Sequence, residues 1–172
     1  MLIYLYGLPG AGKNFIGEVY KSKFNFYFQD ADEYLPEKMK NKLKQGKHFT
    51  VEDVKEYHYI IADKIYKLKK EHQNLIISQA SLFSEHRQII KDKNPSIEFI
   101  YINSDRNTII KRLNHRKGYV TQKYMLDLEK YLEIDKNNYF INNKSHDTID
   151  SITIQILKIT NKNLLQEEIK SH

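Results

Sequence analysis

Segment 7–14 constrains what this 172-residue chain can fold into more than any other part of the sequence. Its first seven residues match the phosphate-binding pattern G-x-x-x-x-G-K, in which glycines let the backbone curl so that successive N–H groups point at one group of phosphate oxygens. The apolar run Leu2–Tyr6 precedes the segment, and residues with helical spacing follow it. This context predicts a nucleotide site formed by Gly7, Leu8, Pro9, Gly10, Ala11, Gly12, Lys13 and Asn14.

Lys13 and Asn14 have different expected roles in this phosphate loop (residues 7–14). Lys13 is expected to act in catalysis by neutralising the β and γ phosphates of the nucleotide. At the position of Asn14 the pattern has Ser or Thr, whose hydroxyl is a Mg²⁺ ligand. Because an amide stands there in this chain, the loop predicts nucleotide binding more firmly than metal-assisted turnover.

Two carboxylates follow the second predicted strand, residues 24–29. Asp30 and Asp32 lie at the carboxyl end of that strand, where ligands bind in open α/β sheets. Phosphoryl transfer needs a metal-assisted phosphate cradle and a group that orients or deprotonates the acceptor. We therefore expect Asp30 to hold Mg²⁺ through water and Asp32 to accept the proton of a substrate hydroxyl. The alternative is a surface turn whose carboxylates only cap a helix.

Arginine is rare in this chain, with four among 28 basic residues. Arg112 and Arg116 are four residues apart and are expected to share one helix face before a break at Gly118. Guanidinium groups grip phosphate oxygens with a bidentate geometry that lysine lacks. The pair predicts a closing lid over ATP, in which both arginines act in catalysis and Arg112 also binds the nucleotide. The alternative is an exposed basic helix end that complements the helix dipole.

Predicted strands and helices alternate along the chain. Strands are expected at 2–6, 24–29, 74–78, 97–102 and 139–141. Helices are expected at 14–23, 36–45, 50–72, from 81 or 84 to 93, from 104 to the arginines, at 121–134 and from 149. The expected caps are Thr50 in a capping box with Asp53, Ser81 or Ser84, Ser104, and Thr121. The alternation predicts an α/β fold, a three-layer α/β/α arrangement with a five-stranded parallel sheet. Residues 1–160 are expected to form one domain, followed by a frayed polar tail at 161–172.

Composition narrows the possible partners. The net charge is +6 and the sequence pI is about 9.2, but the excess is mostly lysine at spacings typical of a solvated helix face. Nucleic acid is therefore not the expected partner. The chain has no cysteine, which excludes disulfides and thiol nucleophiles. The first apolar run is too short for a signal peptide or a membrane span, so we expect a cytoplasmic protein.

The chain resembles the small gluconate kinases, relatives of shikimate kinase within the nucleoside-monophosphate-kinase-like P-loop NTPases. Besides the phosphate loop and the lid arginines, the residues that carry the resemblance are Asp30, Ala31, Asp32, Pro36, Met39, Gly46, Thr50, Glu52 and Asp53, with Ile100, Tyr101 and Leu113. The resemblance implies ATP and Mg²⁺ as cofactors, a sugar-acid hydroxyl as phosphoacceptor, and often a homodimer. It also implies substrate-binding helices at about 33–72, a lid at about 112–126, and acceptor contacts by Asp32, Met39 and Asp53.

Departures from the family pattern leave the acceptor open. Val54 stands where the family usually has Arg, and Phe83 stands where it has Lys. Without these two cations the pocket should bind a substrate carboxylate more weakly, since a hydrogen bond to a charged group contributes about 1.5–3 kcal/mol. Arg87 is the candidate that would replace this interaction by binding the substrate. Three hypotheses follow: a gluconate-kinase-like enzyme, an ATP-binding protein with degenerate or no transferase activity, and a nucleotide or nucleoside kinase of the same fold.

Overall fold

The chain folds around a sheet of five parallel strands in the order β2-β3-β1-β4-β5. A computed structural model describes residues 1–116 and 118–170, with 161–170 described by their backbone alone. The strands of the described residues are β1 Leu2–Tyr6, β2 Tyr27–Asp30, β3 Leu75–Ser78, β4 Glu98–Asn103 and β5 Tyr139–Asn142. In the register, Asp30 is opposite Ser78, and Ser78 is opposite Leu5. The carboxyl ends of β1, β2 and β3 therefore meet at one edge of the sheet.

Helices cover both faces of this sheet. Those within the described residues are α1 Lys13–Phe24, α2 Glu37–Lys44, α3 Val51–Glu71, α4 Ser84–Lys93, α5 Arg106–His115, α6 Gln122–Glu129 and α7 Ile149–Lys170, and a 3₁₀ turn covers Ala31–Tyr34. None of the helices in this described part of the chain is long and apolar enough to cross a membrane.

The two faces of β1 contribute to two separate cores because side chains alternate along a strand. Ile3 and Leu5 belong to a cluster with buried residues of α1, α5, α6 and α7. Tyr4 and Tyr6 belong to a second cluster, which contains buried residues of α2, α3 and α4. All five residues of β1 are buried, as expected for a central parallel strand. The predicted three-layer α/β/α arrangement with a five-stranded parallel sheet is confirmed.

Several predicted boundaries are corrected. The second strand begins at Tyr27 rather than 24, because α1 continues to Phe24 and Asn25 ends it in the left-handed conformation, with φ of 56°. Phe24 and Phe26 instead pack against the ring of Tyr20. Helix α6 ends at Glu129 rather than 134, and α7 continues through the predicted tail to Lys170. Residues 171–172 of that tail lie outside the described residues.

Two of the four predicted caps are wrong. Neither Ser81 nor Ser84 caps α4, since Phe83 precedes it with no side-chain cap. Asp105, not Ser104, caps α5 by accepting a hydrogen bond from the Thr108 N–H. The caps at Thr50 and Thr121 are confirmed, and Thr50 forms a full capping box with Asp53.

Candidate active site

The phosphate loop connects β1 to α1 through backbone conformations that require glycine. Gly10 and Gly12 have φ of 84° and 95°, in the left-handed region that side chains rarely adopt. A Cβ atom on Gly12 would also lie 2.0 Å from Nδ2 of Asn143. The loop therefore curls as the sequence pattern requires, and it leads directly into the first turn of α1.

The ammonium group of Lys13 lies over the loop that precedes it. Its Nζ donates hydrogen bonds to the carbonyl oxygens of Gly7 and Leu8, both at 3.0 Å. Burial lowers the pKa of Lys13 to about 8, although the carboxylates of Asp32 and Asp30 oppose this shift. Lys13 is thus a cation held at the loop, close to both aspartates.

The two aspartates are brought together at the end of β2. Asp30 is the last residue of the strand, and its Oδ1 accepts a hydrogen bond from the backbone N–H of Asp32 at 3.0 Å. Asp32 is exposed at the surface, but the surrounding protein partly desolvates its carboxyl, and this desolvation, followed by the neighbouring charge of Asp30, raises its pKa, whereas Lys13 and Arg116 act in the opposite direction. The pKa of Asp32 therefore moves toward the range where a carboxylate is a stronger base.

Asn14 connects Asp30 to the end of β3. Its Nδ2 donates to Oδ2 of Asp30, and its Oδ1 accepts from the hydroxyl of Ser78 at 2.8 Å. Carboxylate, amide and hydroxyl oxygens suit Mg²⁺, which usually binds through one or two carboxylates together with substrate phosphates. In the described part of the chain, no group of three or more His, Cys, Asp or Glu residues could hold a metal ion. The three side chains fit a Mg²⁺ site that phosphate oxygens complete.

Arg112 and Arg116 do not share a helix face, which corrects the prediction. Arg112 lies in the last turns of α5, whereas Arg116 follows its end with φ of −92° and ψ of 131°. The predicted lid at 112–126 includes residue 117, which lies outside the described residues. Arg116 is nevertheless close enough to influence the pKa of both Lys13 and Asp32.

The guanidinium of Arg112 is held against the phosphate loop. Its Nη1 donates to the carbonyl oxygen of Ala11 at 3.1 Å, and its Nη2 donates to Oδ1 of Asn143 at 3.2 Å. Asn143 is buried in the β5–α7 connection and also donates to Ala11 O at 2.8 Å. Arg112 and Asn143 therefore hold the loop from the side of α5 and β5.

The three other predicted substrate residues have structural contacts instead. Met39 is fully buried in the second core cluster, which packs between the sheet and α2, α3 and α4. Asp53 completes the capping box and forms an ion pair with Lys42, and these partners lower its pKa to about 2. Arg87 is 4% exposed and donates to the carbonyl oxygens of Ser81, Leu82 and Glu133. These contacts engage the three side chains in this structure, and the predicted roles of Met39, Asp53 and Arg87 in acceptor binding stay predictions.

Two residues near the loop were missed in the sequence. Ser78 ends β3 directly beside Asp30, and Asn143 follows β5. Ser78 is the last residue of its strand and Asn143 directly follows its strand, and both strands end at the same edge of the sheet. The rule that identified Asp30, a polar residue at the carboxyl end of a parallel strand, would have found them.

The segment before α3 contacts the helix that follows the arginines. The ring of His48 stacks on Tyr124 of α6, with centroids 4.7 Å apart, and its Nε2 lies 3.3 Å from Oδ2 of Asp127. Segment 45–50 and α6 therefore touch in this structure. This contact joins the predicted substrate-binding helices to the predicted lid.

Together, the loop with Lys13, the paired aspartates and the parallel sheet with β1 at its centre define a P-loop nucleotide-binding protein of the α/β class. The sequence model of one family within this class, described as shikimate kinase, matches residues 9–170. The chain belongs to the shikimate kinase family.

Individual proteins support the same assignment. The chain is 30% identical over 115 residues to the thermosensitive gluconokinase of Escherichia coli (strain K12), covering 67% of this chain and 62% of that protein. It is 25% identical over 122 residues to the thermoresistant gluconokinase of the same organism, covering 71% and 70%. The crystal structure of a gluconokinase from Sinorhizobium meliloti 1021 shares the fold, with a TM-score of 0.83 at 16% identity over 99% of this chain and 97% of that one. These comparisons confirm the resemblance that the motifs indicated.

Proposed function

We propose that the chain is an ATP-dependent kinase that phosphorylates a hydroxyl group of a small sugar acid or a related carbohydrate. The observation that carries this proposal is the convergence of the phosphate loop with the two aspartates. Asn14 of the loop donates to Asp30, and Asp30 in turn accepts from the N–H of Asp32. Lys13 and Arg116 are close enough to shift the pKa of Asp32. A cation for phosphate, a carboxylate for metal and a carboxylate base are the parts that phosphoryl transfer requires. The named gluconokinases among the relatives support a sugar acid as the acceptor.

Nucleotide binding follows from the phosphate loop. Backbone N–H groups of residues 7–14 would surround the β phosphate, and Lys13 would exchange its contacts with Gly7 O and Leu8 O for phosphate oxygens. Arg112 lies beside the loop carbonyl of Ala11 and would stabilise the nucleotide from that side. The positive charges offset the negative charge that develops on the transferred group.

Asp32 supplies the base for the acceptor. It would take the proton of the acceptor hydroxyl as that oxygen forms a bond to the γ phosphorus and the bond to the bridging oxygen of ADP breaks. A positioned general base contributes about 10²–10⁴ in rate. The raised pKa of Asp32, caused by desolvation of its carboxyl and by the charge of Asp30, makes it a stronger base than an ordinary Asp.

Asp30, Asn14 and Ser78 are the residues that would hold Mg²⁺. Both oxygens of the Asp30 carboxylate already accept hydrogen bonds, from the Asp32 N–H and from Asn14. Metal binding at this carboxylate therefore requires Asn14 to rotate or a water molecule to intervene. When bound at these residues, the ion would neutralise part of the charge on the phosphates.

Arg116 and α6 form the proposed lid. Arg116 is exposed and is the first residue after α5. Stacking of His48 on Tyr124 joins the lid helix to segment 45–50. Closure on this side would exclude water from the γ phosphate, which favours transfer to the acceptor over hydrolysis.

An ADP-release screen tests the proposed function. The purified protein is assayed with ATP and Mg²⁺ against gluconate and other sugar acids, neutral sugars, nucleosides and nucleotides, with Lys13→Met as the inactive control. We expect the largest acceptor-dependent rate with a sugar acid or a related carbohydrate. A preference for nucleosides or nucleotides would contradict the proposal and support a nucleotide kinase.

A nucleotide-binding protein without transferase activity is the second candidate. The specific observation in its favour is the hydrogen bond from Asn14 Nδ2 to Asp30, which engages the carboxylate needed for metal. Calorimetry distinguishes the two candidates. Tight ATP binding, together with no acceptor-dependent ADP release in the whole screen, would establish the second candidate.

A further inference from the structure

Several hydrogen bonds hold the turn that carries Asp32. The Asp32 N–H donates to Oδ1 of Asp30 at 3.0 Å, the Leu35 N–H donates to the Asp32 carbonyl at 3.2 Å, and Nε2 of Gln29 donates to the Glu33 carboxylate at 2.8 Å. The bond to the backbone carbonyl of Ala31 comes from α3, where the hydroxyl of Tyr57 donates at 2.6 Å. Tyr57 is thus a direct contact between a long helix and the backbone next to Asp32.

The environment of Tyr57 fixes the position of its hydroxyl. The side chain is 1% exposed and packs in the same core cluster as Ala31, Met39 and Ile61. The start of α3 is itself fixed, because the capping box at Thr50 sets where the helix begins. A buried aromatic ring on a fixed helix leaves its hydroxyl little freedom to move.

The electrostatics of Tyr57 agree with this geometry. Burial raises the pKa of Tyr57 above its ordinary value, and the charge that adds most to this shift is that of Asp32. The phenol therefore stays protonated across the physiological pH range and always has a proton to donate. It is also close enough to Asp32 to be affected by its charge.

We propose that Tyr57 is a positioning residue for Asp32, and that its hydrogen bond to Ala31 holds the 3₁₀ turn so that the carboxylate faces the acceptor hydroxyl. This inference rests on the proposed function, in which Asp32 is the base. Tyr57 touches neither substrate nor nucleotide in this account. It acts only through the backbone of Ala31.

The substitution Tyr57→Phe tests the inference because it removes one hydroxyl and keeps the ring. Tyr20→Phe is the matched control: Tyr20 is also 1% exposed, it lies on α1, and its hydroxyl has no hydrogen-bond partner among the residues that the structure describes. Both variants lose a buried phenolic oxygen. Only Tyr57→Phe loses a contact to the turn that carries Asp32.

Two measurements are made on both variants, well below their melting temperatures. Hydrogen exchange of the backbone amides of Asp32 and Leu35 reports the order of the turn without any need for catalysis. Steady-state kinetics with the best acceptor separate kcat from the KM for ATP. For Tyr57→Phe we expect at least tenfold faster exchange at both amides and a kcat that is lower by about tenfold or more, since small misplacements of a catalytic group reduce rates strongly. The KM for ATP should stay within about twofold of the wild-type value.

The outcomes separate this inference from the proposed function. Unchanged exchange in Tyr57→Phe, or faster exchange with an unchanged kcat, would overturn the positioning role. An equal loss of kcat in Tyr20→Phe would also overturn it, because the effect would then follow from any lost buried hydroxyl. An active wild-type enzyme with a normal Tyr57→Phe variant contradicts only this inference. A wild type that is inactive with every acceptor contradicts the proposed function, and the role of Tyr57 in catalysis with it.

Discussion

At residue 14, an amide stands at the position where the phosphate-loop pattern has a metal-binding hydroxyl. The pattern of the phosphate loop has a hydroxyl here, and Asn14 instead hydrogen-bonds to both Asp30 and Ser78. An amide N–H cannot coordinate a cation, and in this structure it engages an oxygen of Asp30. In the proposed metal site, the N–H group of Asn14 would therefore compete with Mg²⁺ for Asp30 until the side chain rotates and presents its Oδ1 as a ligand.

We expect Asn14→Ser to tighten Mg²⁺ binding in the presence of ADP by about three- to tenfold, because it frees Oδ2 of Asp30 and adds a hydroxyl ligand. Calorimetric titration of Mg²⁺ into the protein saturated with ADP measures the dissociation constant. Asn41→Ser, at an exposed position on α2, is the control and should leave it unchanged. Equal or weaker Mg²⁺ binding in Asn14→Ser would show that Asn14 does not compete with the metal.

The position of a site residue in the fold was predictable where a local sequence pattern defines it. Lys13 lies at the end of the loop after β1, and Asp30 is the last residue of β2. The carboxyl ends of the strands lie on the same side of any parallel sheet. Met39, Asp53 and Arg87 were not predictable in this way, because their partners come from other segments. The carbonyl group of Glu133 accepts from Arg87 across 46 residues, and no sequence pattern indicates such a contact.

At the scale of elements, α3 contributes the Tyr57 hydrogen bond to the turn that carries Asp32. It begins with a capping box, in which the hydroxyl of Thr50 accepts from the Asp53 N–H and the carboxylate of Asp53 accepts from the Thr50 N–H. The box was predicted because it is formed by four consecutive residues. The start of β2 was not predicted correctly. Asn25 ends α1 with a left-handed backbone conformation, whereas the aromatic residues of segment 24–28 are typical of a strand.

Removal of the cap should weaken the whole fold. We expect Thr50→Ala to lower the free energy of unfolding by about 0.5–2 kcal/mol, the usual effect of losing an N-cap side chain. Urea denaturation followed by circular dichroism measures this change. Val51→Ala, at a neighbouring exposed side chain, should change stability by less than about 0.5 kcal/mol. Equal effects of both substitutions would contradict the role of the capping box.

At the scale of the whole molecule, a buried polar cluster joins the sheet to α3 and α4. His58 Nδ1 bonds to the Val54 carbonyl oxygen and its Nε2 to the Ser81 hydroxyl, both at 2.7 Å, and its ring stacks on His86. Burial lowers the pKa of His58 to about 4, with smaller effects of His86 and Arg87 in the same direction and of the Val54 hydrogen bond in the other. Burial also lowers the pKa of His86.

These histidines should make the fold sensitive to acid. In the unfolded chain a histidine binds a proton near pH 6.5, whereas folded His58 does so only near pH 4. Stability is therefore full above about pH 6.5, and it is lost as pH falls from 6.5 to 4. We expect the melting temperature to fall by several degrees between pH 7 and 4.5, and to fall less in His58→Gln.

The control for this prediction is His146→Gln, which removes an exposed histidine after β5. In this variant the melting temperature should fall with decreasing pH as steeply as in the wild type. Thermal melts at matched ionic strength measure all three proteins. If the melting temperature of His58→Gln fell between pH 7 and 4.5 by as much as that of the wild type, His58 would not be the source of this pH dependence.

The five-stranded parallel sheet and the helical layers on both of its faces were predictable, because alternating strands and helices admit few arrangements. What was not predictable is which buried polar groups the cores contain. Tyr4 and His58 are 77 and 23 residues from Ser81 in the sequence, yet the Tyr4 hydroxyl and His58 Nε2 both lie 2.7 Å from Ser81 Oγ. Such a cluster depends on three elements packing together.

The rate of Asp32→Asn with the best acceptor tests the central claim most directly. The substitution keeps the size of the side chain and removes its ability to accept a proton. The account predicts a kcat lower by about 10²–10⁴, as for loss of a general base, with an ATP dissociation constant within about threefold of the wild type. An Asp32→Asn protein that phosphorylates the acceptor as fast as the wild type would contradict the account.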